Sequence, residues 1–261
     1  MRRFTILLAA HNRLELLKQA IASAVAEASD QDEVLVIDDG SGEETRTWLD
    51  QAAADEVKLR VIHQENQGVA AARANGVEAA EGEFVFILDS DDQVEPGALE
   101  RVAAAYAQEP AIDLLYGDNL HVFADGTAHH RRYKQYPSNR RFLWATFLSP
   151  RVPFKHSGTS FRRATALELG NYDASMPIKI DVDFFLKFMH RDRLLRHLPV
   201  PLVRFQVHGE MMSRNRAKGI RAWMALIDRY GPKNPVLRLF FKLCRGGSER
   251  LKGLYESLRR R

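Results

Sequence analysis

The chain is poor in cysteine: Cys244 is the single one in 261 residues. That excludes a disulfide framework within the chain and a cysteine-built zinc site, and makes a reducing, cytoplasmic setting the simplest expectation. Long apolar runs are also missing; nothing comes near the roughly 18 consecutive apolar residues a membrane-crossing helix requires. The closest thing to a leader, "MRRFTILLAAHNR", carries only seven residues between its arginines and His11, and no cleavage-like segment follows. It reads as a first strand. There is no internal repeat and no low-complexity linker. "AAHNRLE", after that strand, has none of the glycines of a phosphate-cradling loop.

Charge is uneven. The formal net charge is +4 over the whole chain, but from Arg214 onward there are 14 Lys/Arg and 3 Asp/Glu, a net of +11, which leaves −7 for the rest. An acidic body is a poor nucleic-acid binder, and the basic tail has a separate electrostatic role.

The first half alternates. "FTILLAA" (4–10), "EVLVIDD" (33–39), "LRVIHQ" (59–64), "GEFVFILD" (82–89) and "AIDLLYGDN" (111–119) are apolar, β-rich runs. Helical patterns fill the intervals: 14–28, the segment after "GSGEET", 68–80 and 96–108. Such alternation with short connections predicts an α/β fold with a mostly parallel central sheet. Beyond residue 120 the rhythm breaks. "HVFADGTAHHRRYK" predicts a hairpin turning at Asp125-Gly126. "HSGTSFRRATALELG" predicts a strand then a helix, 181–191 a helix, and 194–208 extended segments broken by prolines.

Three strands end in polar groups: Ala9-Ala10-His11-Asn12, Asp38-Asp39-Gly40-Ser41 and Asp89-Ser90-Asp91-Asp92. In open parallel sheets ligands bind beyond the carboxyl ends of strands, so these would meet in one crevice. Carboxylates held close raise each other's pKa, and a hard divalent ion such as Mg²⁺ or Mn²⁺ relieves the conflict while bridging to phosphate oxygens. Plainer readings stand beside this one. Asp92 would cap the following helix, and Asp39 would be a turn residue before Gly40.

"TILLAAHNR", "VLVIDDGSGEET", "NQGVAAARANGVEAAEGEFVFILDSDD", "TSFRRATALELGNYD" and "DVDFFLKF" occur in that order, and the chain resembles the family-two glycosyltransferases over residues 4–210. The resemblance implies a GT-A, Rossmann-like fold over 1–210, with a nucleotide-sugar half (1–120), an acceptor half (121–210) and a basic helical extension (211–261). It implies nucleotide-sugar contacts for Ala9, Asn12, Asp39, Arg73, Asp89 and Ser90, and a divalent ion on Asp91 with His208 as a second candidate ligand. Gln206 stands where the family often carries an arginine, which weakens the case for His208. Asp181 falls at the family's catalytic base, with Asp183 competing; a helix N-cap is the plainer role for Asp181. His156 would line the acceptor cleft or pack in the core. The chemistry implied is inverting sugar transfer from a nucleoside diphosphate, UDP favoured, to a glycan, lipid-linked or other hydroxyl acceptor.

In the tail, Arg238, Lys242, Arg245, Glu249, Lys252 and Glu256 recur at helical spacing opposite most of Leu237, Phe240, Phe241, Cys244, Leu251, Tyr255 and Leu258. That is one amphipathic basic helix, or two broken at Gly246-Gly247. It would pack on the body, or lie peripherally on the anionic inner face of a membrane where a lipid-linked acceptor resides. Two other functions fit parts of the pattern. A nucleotidyltransferase lacks its glycine-rich loop here, and a receiver-like signalling module leaves 120–210 unused.

Overall fold

The computed structural model describes residues 2–123, 125–207 and 216–259. The chain forms β1 (Arg2–Ala10), α1 (Leu14–Glu27), β2 (Glu33–Asp39), α2 (Glu43–Asp55), β3 (Leu59–Gln64), α3 (Val69–Ala79), β4 (Gly82–Ile87), β5 (Asp92–Val94) and α4 (Ala98–Gln108). It continues through β6 (Leu114–Phe123), β7 (Ala128–Arg131), α5 (Asn139–Leu148), β8 (Ser160–Arg162), α6 (Arg163–Glu168), α7 (Ile180–His190), β9 (Leu195–Val207), α8 (Arg216–Tyr230) and α9 (Pro235–Arg259).

The strands make one sheet in the order β3-β2-β1-β4-β8-β6-β9-β5, with β7 on β6. β3, β2, β1 and β4 are mutually parallel. β8 then enters antiparallel to both β4 and β6, so β6 runs with the first four strands without touching them. The apolar runs read from sequence fit this burial. All seven residues of β2 are buried, and side chains alternate between two cores. Leu7, Leu35, Ile37 and Val85 face one side, under α3, α5 and α7. Ile6, Leu8, Val34 and Val36 face the other, under α1 and α4. Strands covered on both faces lose the apolar–polar alternation of a half-exposed sheet. α3 lies very close to β1, since a Cβ on Gly76 would sit 2.4 Å from Leu7 Cδ1.

The predicted hairpin forms between β6 and β7, with Gly126 at φ 82°. Asp92 is not a helix cap: it opens β5, and Gly97 occupies the N-cap of α4. Within the proline-rich segment expected as broken pieces, Leu195–Val207 is one continuous strand. Pro201 falls opposite Asp118 where the β6–β9 register shifts on both sides, so the missing proline N–H sits at an irregularity. Gly246-Gly247 does not break α9. α8 and α9 dock on the body: Trp223, Leu226, Ile227 and Phe241 share the core cluster of Phe147 and Phe184. Arg245 is buried with its guanidinium 3.6 Å from the Trp223 ring centroid, donates to Ser149 O at 2.6 Å and pairs with Glu249.

Candidate functional site

The rim is assembled first by loops that tie strand ends to one another. After β1 the chain turns sharply: Asn12 and Arg13 both take left-handed backbone angles, φ 56° and 54°. That turn lets the Asn12 N–H reach Ser41 Oγ at 2.8 Å, while Asn12 Oδ1 accepts from Gly42 N–H at 2.8 Å. Asn12, expected to touch nucleotide, uses its side chain to lock the β1 and β2 loops together. Ala9 is half-buried at the end of β1, paired with Ile37.

Asp39 is buried. Its carboxylate accepts from Gln67 N–H and Gln64 Nε2 at 2.8 Å and from Gly68 N–H at 2.9 Å, so it shapes the loop leading into α3. Gly40 is required here, because it has φ +74° and a Cβ would lie 2.8 Å from Asn66 N. His11 Nδ1 sits 2.9 Å from Asp39 O, linking this loop to β1. Asp38, one residue earlier, points the other way and is held by His63 at 2.7 Å.

The carboxylates after β4 converge: oxygens of Asp89, Asp91 and Asp92 lie within 4.8 Å of one another. Cations enter from three elements. Arg73 on α3 donates to Asp89 Oδ1 at 2.5 Å. Arg13, at the start of α1, donates to Asp91 Oδ2 at 3.1 Å. Lys155, before β8, places its ammonium 3.6 Å from Asp89 Oδ2 and 3.9 Å from Asp92 Oδ2. The consequence differs for each acid. Burial raises the Asp89 pKa, but Arg73 and Lys155 outweigh it and hold the group at about 2. Asp92 is buried, and that burial together with the charges of Asp89 and Asp91 pushes it to about 7 against the pull of Lys155. Both Asp92 carboxylate oxygens are buried without a hydrogen-bond partner. A buried carboxylate without a hydrogen bond, beside two more hard oxygen donors, fits a divalent cation. Ser90 is half-buried between these acids.

The second half closes the site from the far side. His156 is a core histidine: 4% exposed, its Nε2 lies 2.8 Å from the Tyr172 hydroxyl. Burial, reinforced by Arg73, keeps its pKa well below the ordinary value, so it is neutral. Tyr172 is buried and its pKa is raised, chiefly by that burial, with the charges of Arg73, Asp89 and Asp181 acting on it more weakly. Asp181 is half-buried in the first turn of α7. It is not an N-cap, since Lys179 holds that position. Asp181 has no hydrogen bond or ion pair among the described residues, whereas Asp183 is buried against Tyr230 Oη at 2.9 Å and Arg229 Nη1 at 3.2 Å. Asp183 joins α7 to α8. His129, His130 and Arg131 lie on β7, where His130 Nε2 reaches buried Asp118 at 2.9 Å. His208 lies outside the described residues.

Arg13 and Lys155 were not singled out by sequence. Arg13 had a signal, the Asn-Arg turn after an acid-facing strand. Lys155 had none, because its approach to residues 89–92 is set by the insertion of β8.

The chain has counterparts among known proteins. Residues 5–170 match the model of the family described as Glycosyl transferase family 2. An uncharacterized glycosyltransferase of Haemophilus influenzae is 23% identical over 257 residues, 95% of this chain and 94% of that protein. The chondroitin synthase of Escherichia coli is 26% identical over 209 residues, 80% of this chain but 29% of that one. Seven of the curated relatives are longer proteins of which this chain spans less than two fifths. Among solved structures, S. aureus TarS 1–349 in complex with UDP-GlcNAc superposes with a TM-score of 0.69 at 20% identity, over 88% of this chain and 68% of that one. At that identity the likeness establishes the GT-A fold and no more. With the family model running from the first strand through the acidic rim to the end of α6, the chain belongs to glycosyl transferase family 2 and is a glycosyltransferase.

Proposed function

We propose that the protein transfers a sugar from a nucleoside diphosphate, UDP by preference, to a hydroxyl of a glycan or lipid-linked acceptor with inversion at the anomeric carbon. The observation that carries this is the Asp89–Asp91–Asp92 cluster, in which the buried oxygens of Asp92 make no hydrogen bond and the Lys155 ammonium stands off at 3.9 Å. Asp89, Asp91 and Asp92 would hold Mn²⁺ or Mg²⁺. When bound, that ion supplies charge neutralisation to the departing diphosphate. Ala9, the loop shaped by Asp39, Arg73, Asp89 and Ser90 form the donor side. In the reaction the acceptor oxygen bonds to the anomeric carbon as the bond to the diphosphate breaks, its electron pair leaving with the phosphate. Asp181 takes the hydroxyl proton. The UDP preference rests on relatives: the matched proteins include synthases of chondroitin and hyaluronan, and the TarS structures hold UDP-GlcNAc and UDP.

The test is thermal stabilisation by a panel of nucleoside diphosphates with and without Mn²⁺, followed by mass-spectrometric detection of transfer. UDP with Mn²⁺ at 100 times Kd should add about 2.7 kcal/mol to stability. A response to no nucleotide, or labelling by acetyl phosphate at one of the rim aspartates, would remove this reading.

The acceptor side of the proposal includes a membrane surface. α9 turns Phe241 and Arg245 inward but leaves Val236, Leu239, Phe240 and Leu243 exposed on its outer face at 77, 57, 51 and 66%. Lys233, Arg238, Lys242 and Arg250 belong to the same basic segment. Among the described residues no helix is long and apolar enough to cross a membrane. An apolar stripe bordered by cations suits the interface of an anionic bilayer. The protein should co-sediment with phosphatidylglycerol vesicles, and Leu239→Glu with Leu243→Glu should weaken that at least roughly tenfold. Both positions are exposed, so the fold is spared. Equal sedimentation of the two proteins would dispose of the membrane contact.

A further inference from the structure

The crevice holds more positive charge than three carboxylates alone would need once a divalent ion arrives. Arg13 lies on Asp91, Arg73 on Asp89, and Lys155 reaches both Asp89 and Asp92. Lys155 is the one described cation within 4.0 Å of Asp92. Its place is fixed from the opposite strand, because its ammonium lies 3.8 Å from the centroid of the Phe205 ring on β9. Asp92 pairs with Phe205 in the β5–β9 register, so the lysine, the ring and the acid form one packed unit.

We infer that Lys155 is the chain's own counter-ion in the crevice and makes metal binding depend on the diphosphate. This rests on the nucleotide-sugar reading above. Without nucleotide, three cationic side chains already answer the three carboxylates. A divalent ion entering then meets the Lys155 ammonium across Asp89 and Asp92, and like charges repel. A diphosphate brings the negative charge that lets ion and ammonium coexist. By linkage, each ligand then raises the affinity for the other by the same factor. Lys155 is thus a positioning residue that couples the two ligands and keeps the empty site from trapping metal.

The experiment measures Mn²⁺ affinity by electron paramagnetic resonance, with and without UDP, for the wild type, Lys155→Met and Lys155→Arg. Methionine keeps the unbranched stem and removes the charge. In the wild type UDP should tighten Mn²⁺ binding. In Lys155→Met, Mn²⁺ without UDP should bind roughly tenfold more tightly and the enhancement by UDP should shrink correspondingly. Lys155→Arg should behave as wild type. If Lys155→Met folds poorly, Phe205→Leu loosens the ammonium while leaving its charge, and should move both quantities the same way by a smaller factor. Mn²⁺ affinity that is unchanged or weaker in Lys155→Met without UDP would overturn the role of Lys155 alone. Failure of all the proteins to bind Mn²⁺, with UDP present, would sink the metal-dependent reading and this inference with it.

Discussion

Asp181→Asn should lower turnover by roughly 10²–10⁴-fold and leave UDP binding at its wild-type affinity. The size follows from the single task proposed for the side chain. An acceptor hydroxyl cannot carry its proton through the transfer, and a positioned carboxylate is the group that removes it. The local structure favours Asp181 over Asp183 for this work. Asp181 is half-buried at the start of α7 with no hydrogen bond or ion pair among the described residues, so its oxygens are available to a substrate. Asp183 is buried and committed to Tyr230, Arg229 and Lys187. Asp183→Asn should therefore appear first as instability, of order 1–3 kcal/mol, because buried donors lose a charged acceptor. The comparison is made by steady-state kinetics and thermal melting of both variants. Full turnover by Asp181→Asn, or a catalytic loss confined to Asp183→Asn, would exchange the two roles.

The two aspartates show how far a sequence reaches. Their spacing marks a helix start, and the helix forms at Ile180–His190, but which acid faces the crevice depends on where α8 docks. β1, β2 and β4 were readable because burial on both faces leaves uninterrupted apolar runs, and their polar ends follow from topology. The acid cluster was readable for the same reason. Asp92 was not, since its role turns on β5, a three-residue strand that exists through pairing with β9. Such short strands have no local signature. Lys155 and His156 are adjacent in sequence yet divide between the crevice and the core, and nothing in "FKHSG" tells them apart. Gly246-Gly247 leaves one helix or two open in the sequence, and the segment is held as one helix by tertiary anchors: Phe241 on Phe147, and Arg245 on Trp223 and Ser149. Packing overrides propensity there.

Asp91→Asn should abolish the Mn²⁺-dependent part of UDP stabilisation and reduce transfer by roughly 10²-fold or more, with the melting temperature of the free protein nearly unchanged. The difference between the two readouts comes from where Asp91 sits. Its side chain is about a quarter exposed, at 24%, and the guanidinium of Arg13 beside it is itself 36% exposed. Losing an ion pair so open to water costs the fold little, about 0–1 kcal/mol. Losing a charged oxygen ligand is another matter, since Asp89 is already engaged by Arg73 and Lys155, and Asp92 by its proximity to Lys155. Asp91 pairs with Arg13 at a site a quarter open to water, where an entering ion can reach it. Asparagine keeps the shape and one neutral oxygen, so a loss in that variant reports charge rather than packing. The check is the thermal shift with UDP, with and without Mn²⁺, for wild type and variant side by side. Were the metal-dependent increment retained in Asp91→Asn, the ion would have to be held elsewhere, and the crevice would lose its assignment as the donor diphosphate site.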